Sequence, residues 1–473
     1  MIGINALKFK RHDHYLSTAI SDAAMVSRSD TEGTKMGWNR WYSLKSYVKS
    51  SLWLVPFIAL PLYVVAIRIA YLFKQWLIWI EPWPWGVAGS QRLLETIITM
   101  TLTFVVFTFG SLLVAIQIAG GQLTPRIIAT TLLSDNAIRF TVGLFIFTLL
   151  FATGTLARLE TDTDRAIVGI PVLLGFLSIA AFLYLIDYAA RLLRPVSIVL
   201  RVSEEGRAVI EDVYPTMATE EADATATDPR PSARPDKVIL YRGRPAIIVA
   251  INKNALLTLA EKTQSVVELV PRIGDFVASG EPLFRLYGSR FPEESVLKTM
   301  IAFGPERTLE QDATFAFRII VDIAIKALSK AINDPTTAVL AIDQLQRLLC
   351  FVGKRNLTRE TILNQSGELR VICRTPDWED FVKLTFSEIR LYGAENFQIA
   401  RRLRAVLEYG LQVLPDFRRP ALEAELALLD RRLAQLYEFP EDLELAQTAD
   451  SQGLGGSTPS TLRFLPGKPS VSQ

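Results

Sequence analysis

The sequence predicts an α-helical membrane protein with four transmembrane helices, followed by a cytoplasmic α+β part. That part combines a small β-rich, sandwich-barrel-like module with a helical domain. Three observations predict this class. Four long apolar runs fall between about residues 51 and 190, each able to supply the roughly 20 residues a membrane helix needs. Short β-type runs follow between about 237 and 292. Apolar residues at helical spacing then recur between about 300 and 445.

Residues 1–50 form a polar, basic segment with no short apolar core ahead of a cleavage site, so the first span is its own insertion signal. The spans run over about 52–73, 93–119, 137–156 and 167–186, the first containing Pro56 and Pro61. A core helix of a soluble protein would show a polar face, and these mostly do not. Lys8, Lys10, Arg11, Arg28, Lys35, Arg40, Lys45 and Lys49 precede the first span; Arg191, Arg194, Arg201 and Arg207 follow the fourth. The loop between spans one and two carries one Lys, and ARLETDTDRA between spans three and four is net acidic. The excess of positive charge therefore puts both termini in the cytoplasm. Trp76, Trp79, Trp83 and Trp85 form an outer aromatic belt, and Trp38, Trp41 and Trp53 mark the inner interface.

Behind the spans, 191–214 reads as an amphipathic helix leaving the membrane, and 215–236, rich in Ala, Thr, Pro and acid, as a flexible linker. Within the β-rich module at 237–292, Asn254 to Lys262 forms one short helix. Gly274-Asp275 and Gly280-Glu281 make tight turns, with Phe276, Val277 and Leu283 pointing inward. The piece ELVPRIGDFVASGEPLFRL resembles biotinyl and lipoyl carrier domains but lacks their modifiable Lys, so it reads as structural. In the helical domain at 300–445, Thr308 to Gln311 is a capping box opening a helix of about 20 residues. Asp334-Pro335 is the N-cap and first residue of the next. Later helices cover about 377–392, 395–413 and 420–437, and 446–473 is a disordered tail.

At 473 residues two or three domains are expected. The formal charge of +2 is too small to carry a partner argument, and no basic aromatic stripe points to nucleic acid. His12 and His14 are the two histidines, and no HExxH, CxxC, GxSxG or phosphate-binding glycine loop occurs. An enzyme, a cofactor and a metal are therefore not expected. Cys350 and Cys373 lie in the cytoplasmic part, where a structural disulfide is not expected. The span centres are read as free of charge, with Glu95, Arg139 and Asp187 near the ends, which argues against proton coupling.

Three groups of residues carry candidate sites. On one face of the second span lie Thr96, Thr99, Thr103, Gly110 and Gln117. Small and hydroxyl residues allow close helix packing, and the same stripe suits a pore lining. Gly120-Gly121 should stop that helix, and Thr124-Pro125 should start a short amphipathic one at the inner surface. There Gln122, Thr124 and Arg126 can hold an anion or lipid phosphate, or Arg126 simply pairs with a carboxylate or headgroup. In the cytoplasmic part Gln311, Asp312, Arg318, Asp322, Lys326, Asn333 and Asp334 are the candidates for an interface or ligand pocket. Arg318, Asp322 and Lys326 repeat every four residues, so an exposed row of salt bridges is the plainer reading.

QLTPRII after the second span, together with RTLEQDATFAFRIIVDIAIKALSKAINDPTTAVLAIDQL, resembles the signatures of a bacterial membrane-protein family of uncharacterised activity, domain of unknown function 2254. The resemblance runs from about Leu52 to Leu429 and includes SLWLVP and PRIGDFVASGEPL. It maps onto Gln122, Pro125, Arg126, Glu310, Gln311, Asp312, Arg318, Asp322, Asn333, Asp334, Pro335, Thr336 and Asp343. This chain has SKAINDP where many members have SPGINDP, which removes a turn-forming pair. The resemblance implies a multi-pass protein of the bacterial inner membrane and brings no activity with it. An oligomeric channel or pore with a cytoplasmic regulatory domain is the leading expectation, its partners being membrane lipids and further copies of itself. The alternative is a membrane-anchored sensor or scaffold.

Overall fold

The computed structural model describes residues 38–42, 44, 54–72, 86–122, 135–159, 165–192, 194–219, 234–357 and 361–454. The apolar part contains α1 (Leu54–Leu72), α2 (Val87–Gln122), α3 (Asn136–Leu156) and α4 (Arg165–Leu192). The last three are long and apolar enough to cross a membrane. Helix α1, of 19 residues, is about 28 Å long at 1.5 Å per residue, against a hydrocarbon core of about 30 Å, and Phe57–Ala70 within it is a shorter apolar helix. Residues 51–53 and 73–85, with the expected outer Trp belt and Trp53, lie outside the described residues.

Helix α3 is the hub of the apolar part, packing against α1, α2 and α4. Its Gly154 lies so close to α1 that a Cβ there would sit 2.0 Å from the Tyr63 hydroxyl. Phe104 stacks on Phe182 at 4.1 Å, and Phe145 is fully buried beside them. The fully buried Thr148 and Ser178 hydroxyls share a hydrogen bond of 3.1 Å between α3 and α4, and Thr148 also donates to the Leu144 carbonyl at 2.9 Å.

Helix α2 includes Gly120-Gly121 and is described as far as Gln122. Charged residues of the spans lie toward helix ends: Arg68 is exposed near the end of α1, and Arg139, expected to snorkel, is buried at the start of α3.

The exit helix α5 (Pro195–Val213) does not stand apart from the soluble part. Ile198, Val199, Val202 and Ile210 belong to the core of the helical bundle behind it. The expected linker begins structured: the Thr216 carbonyl accepts from the Asn356 amide at 2.9 Å, and the Ala218 amide donates to Lys354. Residues 220–233 lie outside the described residues.

Then come β1 (Lys237–Leu240), β2 (Ala246–Ile251), α6 (Lys253–Thr263), β3 (Val266–Leu269), β4 (Phe276–Val277), β5 (Pro282–Tyr287), α7 (Glu294–Lys298) and β6 (Ile301–Gly304). The bundle proper is α8 (Ala313–Ala327), α9 (Pro335–Gly353), α10 (Trp378–Gly393), α11 (Phe397–Val413), α12 (Arg419–Leu436) and α13 (Pro440–Ala446). Between α9 and α10 lie β7 (Thr361–Leu363) and β8 (Leu369–Cys373).

The strands make two sheets, ordered β1-β5-β3-β8-β7 and β4-β2-β6. So the stretch from 300 onward, expected to be helical, contributes three strands. Strand β8 pairs parallel with β3, Val267 opposite Val371, and stitches the β module to the bundle. Val277 and Leu283 face inward as expected, whereas Phe276 is exposed, because neighbouring residues of a strand face opposite sides. Residues 446–454 of the expected tail are described, and Arg402 binds the Asp450 and Ser451 carbonyls, holding 450–451 against the bundle; residues 455–473 lie outside the described residues.

Candidate functional site

On α2 the stripe faces outward from the bundle: Thr96, Thr99, Thr103, Gly110 and Gln117 are all exposed. Each Thr hydroxyl donates to its own helix, Thr96 to the Arg92 carbonyl at 2.8 Å, Thr99 to Glu95 at 2.9 Å and Thr103 to Thr99 at 2.8 Å. Back-bonding of this kind lets a hydroxyl face lipid or a second helix without an unsatisfied donor. The polar residues that α2 buries inside the bundle are others, Ser90, Thr101 and Thr108. Gln122 is the last described residue of α2, and Thr124, Pro125 and Arg126 lie outside the described residues.

In the soluble part the signature residues converge at the seam between β module and bundle. Asp312, not Thr308, caps α8, its carboxylate accepting from the Phe315 amide at 3.1 Å. The expected capping box therefore yields to a competing cap four residues on. Buried Asp312 also pairs with Arg307 at 2.6 Å and accepts from the Thr314 hydroxyl. Gln311 is freed from capping, and its side-chain oxygen accepts from the Ile251 amide of β2 at 2.9 Å. From the other side comes the PRIGD turn. Gly274, at φ +89°, has Arg307 and Asp312 where a Cβ would be, 2.3 and 2.5 Å away. Only glycine fits both that φ and that approach. Arg272 of the same turn reaches Asp380 of the α10 cap at 2.7 Å. A cleft of about 30 Å³ opens beside this seam, lined by Tyr214, Lys253, Ile273, Gln311, Asp312 and Cys373 among others. That volume suits a water or two, far below the several hundred Å³ of a typical ligand pocket.

The remaining candidates are structural joints. Arg318 pairs with Asp322 one turn on and with Glu388 of α10, and the guanidinium holds the Glu388 carboxyl below its ordinary range. Lys326 is half-buried on the same helix. Asn333 takes the left-handed conformation at φ +48°, which asparagine tolerates, and turns the chain into Asp334. Asp334 caps α9, accepting from the Thr337 amide at 3.1 Å, with Pro335 as first helical residue, as expected. Asp343 binds Arg402 at 2.7 Å.

One centre was not read from the sequence. Asp135, nearly fully buried, caps α3 by accepting from the Ala137 amide at 2.8 Å. Its other oxygen accepts from the Tyr188 hydroxyl of α4 at 2.6 Å and from Arg201 of α5 at 3.0 Å. One carboxylate thus ties two membrane helices to the exit helix. Ser134-Asp135-Asn136 before an apolar run is a visible cap signal; its two distant partners are not. Among the described residues no three His, Cys, Asp or Glu side chains gather as a metal site.

Long apolar helices joined through a buried carboxylate to a large α+β part define an integral membrane protein with a substantial sheet-containing portion. The chain belongs to the family described as Predicted membrane protein (DUF2254), matched over residues 49–409. It is similar to uncharacterized proteins of Mycobacterium bovis and Mycobacterium tuberculosis, each 26% identical over 477 residues that cover 94% of this chain and 89% of the relative. No solved structure matches the chain.

Proposed function

We propose that the protein is a passive, oligomeric channel or pore of the bacterial inner membrane, with the stripe on α2 lining the path and the cytoplasmic part assembling and regulating it. The outward orientation of that stripe carries the reading. Leu94, Val142, Phe145, Phe151 and Ala152 fill the inside of the single-chain bundle. Such packing leaves no room for a water column, so a wet path needs several copies of α2 around a shared axis. Hydroxyls and an amide would pass small solutes without strong charge selection. The Asp135 joint is the element through which the cytoplasmic part would act on α3 and α4. No chemical step is assigned to the protein; its partners in this reading are membrane lipids and copies of itself.

In this reading both termini are cytoplasmic: the flanking charges favour it, and the Tyr42 hydroxyl, buried beside Glu310 and Thr308, supports one side for the chain ahead of α1 and the α+β part. Single-channel recording on purified protein in bilayers tests the function. A conductance that thiol reagents block in Thr103→Cys is the expected result. No conductance under voltage, tension or ligand screens, with no cross-linking between Thr99→Cys copies, overturns it. The continuity of α5 with the bundle core also suits a membrane-anchored sensor or scaffold, which would retain a bound partner on purification and conduct nothing.

A further inference from the structure

We infer that the end of the helical bundle beside span four docks on the lipid surface itself, as a second membrane contact besides the spans. Neighbouring contacts fix which end that is. Helices α5 and α9 run side by side in the same direction: Glu204 pairs with Arg347 at 2.7 Å, Gly206 abuts Leu348, and Arg207 lies over the Phe351 ring. Near their far ends Arg355 donates to the Tyr214 carbonyl. Because α5 begins at Pro195, just after α4 ends at Leu192, the start of α9 and the turn before it lie level with the end of a membrane helix. Helix α10 runs the same way as α8. Its Phe381 meets Phe317 and Tyr214 at the far end, and its Gly393 meets Leu328 at the near end. The Tyr437 hydroxyl donates to the Ala394 carbonyl, and the Gln398 amide to the Gly453 carbonyl. The chain after α12 and the chain after α13 therefore return to this same end.

Large apolar side chains are exposed there together. Ile332 is 37% exposed, Leu391 56%, Tyr392 58%, Phe439 67% and Leu454 77%. Exposed hydrophobic residues scattered singly need no explanation, but a group at one end of a bundle does. Helix α5 shows the same gradient along its length. Its first turns expose Val196 and Leu200, and its later turns expose Glu204, Glu205, Glu211 and Asp212. An apolar near half and an acidic far half suit a helix that leaves a bilayer. The bilayer is the occupant because it already reaches this level at Leu192. The exposed charges around the patch are mixed, Arg194 and Lys330 with Glu395 and Glu438. Contact is thus made by burial of apolar side chains and by Tyr392 at headgroup depth, and it does not need anionic lipid.

The inference is independent of whether the protein conducts. The test uses full-length protein in phosphatidylcholine vesicles, with Cys350 and Cys373 replaced by Ala and a polarity-sensitive fluorophore on Leu391→Cys or Phe439→Cys. Spin-labelled lipid should quench both labels at least threefold more than the same label on Tyr409→Cys. Equal quenching at all three positions overturns the inference. So does a blue-shifted label that lipid does not quench, which would mean a second copy covers the patch. Should the cysteine-free protein fail to fold, wild-type chain in photoactivatable phosphatidylcholine decides the matter. Peptides containing 391–392 and 439 should be enriched in cross-links over one containing Tyr409, and a lack of enrichment overturns the proposal.

Discussion

Asp135 holds three elements with one side chain, so its substitutions separate a cap from a joint. Losing the cap costs about 1 kcal/mol. Losing the Tyr188 and Arg201 bonds adds about as much again, a modest figure because the Arg201 side chain is 32% exposed and water shares its charge. Asp135→Ala should therefore lower stability by about 2 kcal/mol. Asp135→Asn, which still caps, should lose roughly half of that. Thermal unfolding in detergent measures both, and variants indistinguishable from wild type would remove the joint from the account. A second residue makes a pH prediction. Burial pushes the Cys373 thiol up to about 11. The unfolded chain ionises this group near its ordinary value of about 8.5, well before the folded chain does. Its contribution is therefore complete below about pH 8 and is lost as pH rises toward 11. Burial acts on Tyr214 in the same direction, above the ordinary tyrosine range. Unfolding midpoints should fall between pH 8 and 11, and Cys373→Ala should flatten part of that fall; identical slopes would contradict it.

At the scale of elements, α5 decides how tightly the membrane part is joined to the soluble part. Its Gly206 faces α8 so closely that a Cβ would sit 2.6 Å from the Ala316 Cβ. Gly206→Ala gains about 1 kcal/mol of helix propensity and loses about 1–3 kcal/mol by forcing helices apart. The net expectation is destabilisation by about 1 kcal/mol, relieved when Ala316→Gly is added. A double-mutant cycle showing no coupling would mean that the helices shift freely. Elements such as these differ in how far the sequence reveals them. The apolar runs, the Asn254 to Lys262 helix and the Asp334-Pro335 start are legible because their causes are local in the chain. The Asp312 cap is half legible: Thr308 and Asp312 both offer side chains, and the choice turned on Arg307 and Gly274, the latter distant in sequence. Strands β7 and β8 are only 3 and 5 residues long, too short to show a period: they pair locally as a hairpin, and the partner that fixes β8 in the sheet, β3, lies about 100 residues earlier. Asp135 failed in the same way, its partners lying 53 and 66 residues onward.

At the scale of the whole molecule, crossings must add up. Helices α2, α3 and α4 are long enough to span, and three crossings would leave the chain before α1 on the opposite side from the soluble part. Yet the Tyr42 hydroxyl, ahead of α1, is buried, and burial together with the Glu310 carboxylate holds it above the ordinary tyrosine range. Residues so close share a compartment. The parity would be restored by the expected fourth crossing, through α1, which carries the exposed Arg68. A short span is tolerated by local thinning of the bilayer, and an arginine near its end by snorkelling to the headgroups. The expectation is that cysteines placed at Ser29 and at Gln452 react with an impermeant reagent from the same face of sealed inverted vesicles. Tyr42→Cys and Glu310→Cys should in addition form a disulfide under oxidation. Labelling of the two sites from opposite faces would mean that α1 lies in the interface, and that three helices cross. If instead the two sites agree, replacing Arg68 by Leu should remove the one charge within Phe57–Ala70 and raise stability slightly without changing either label.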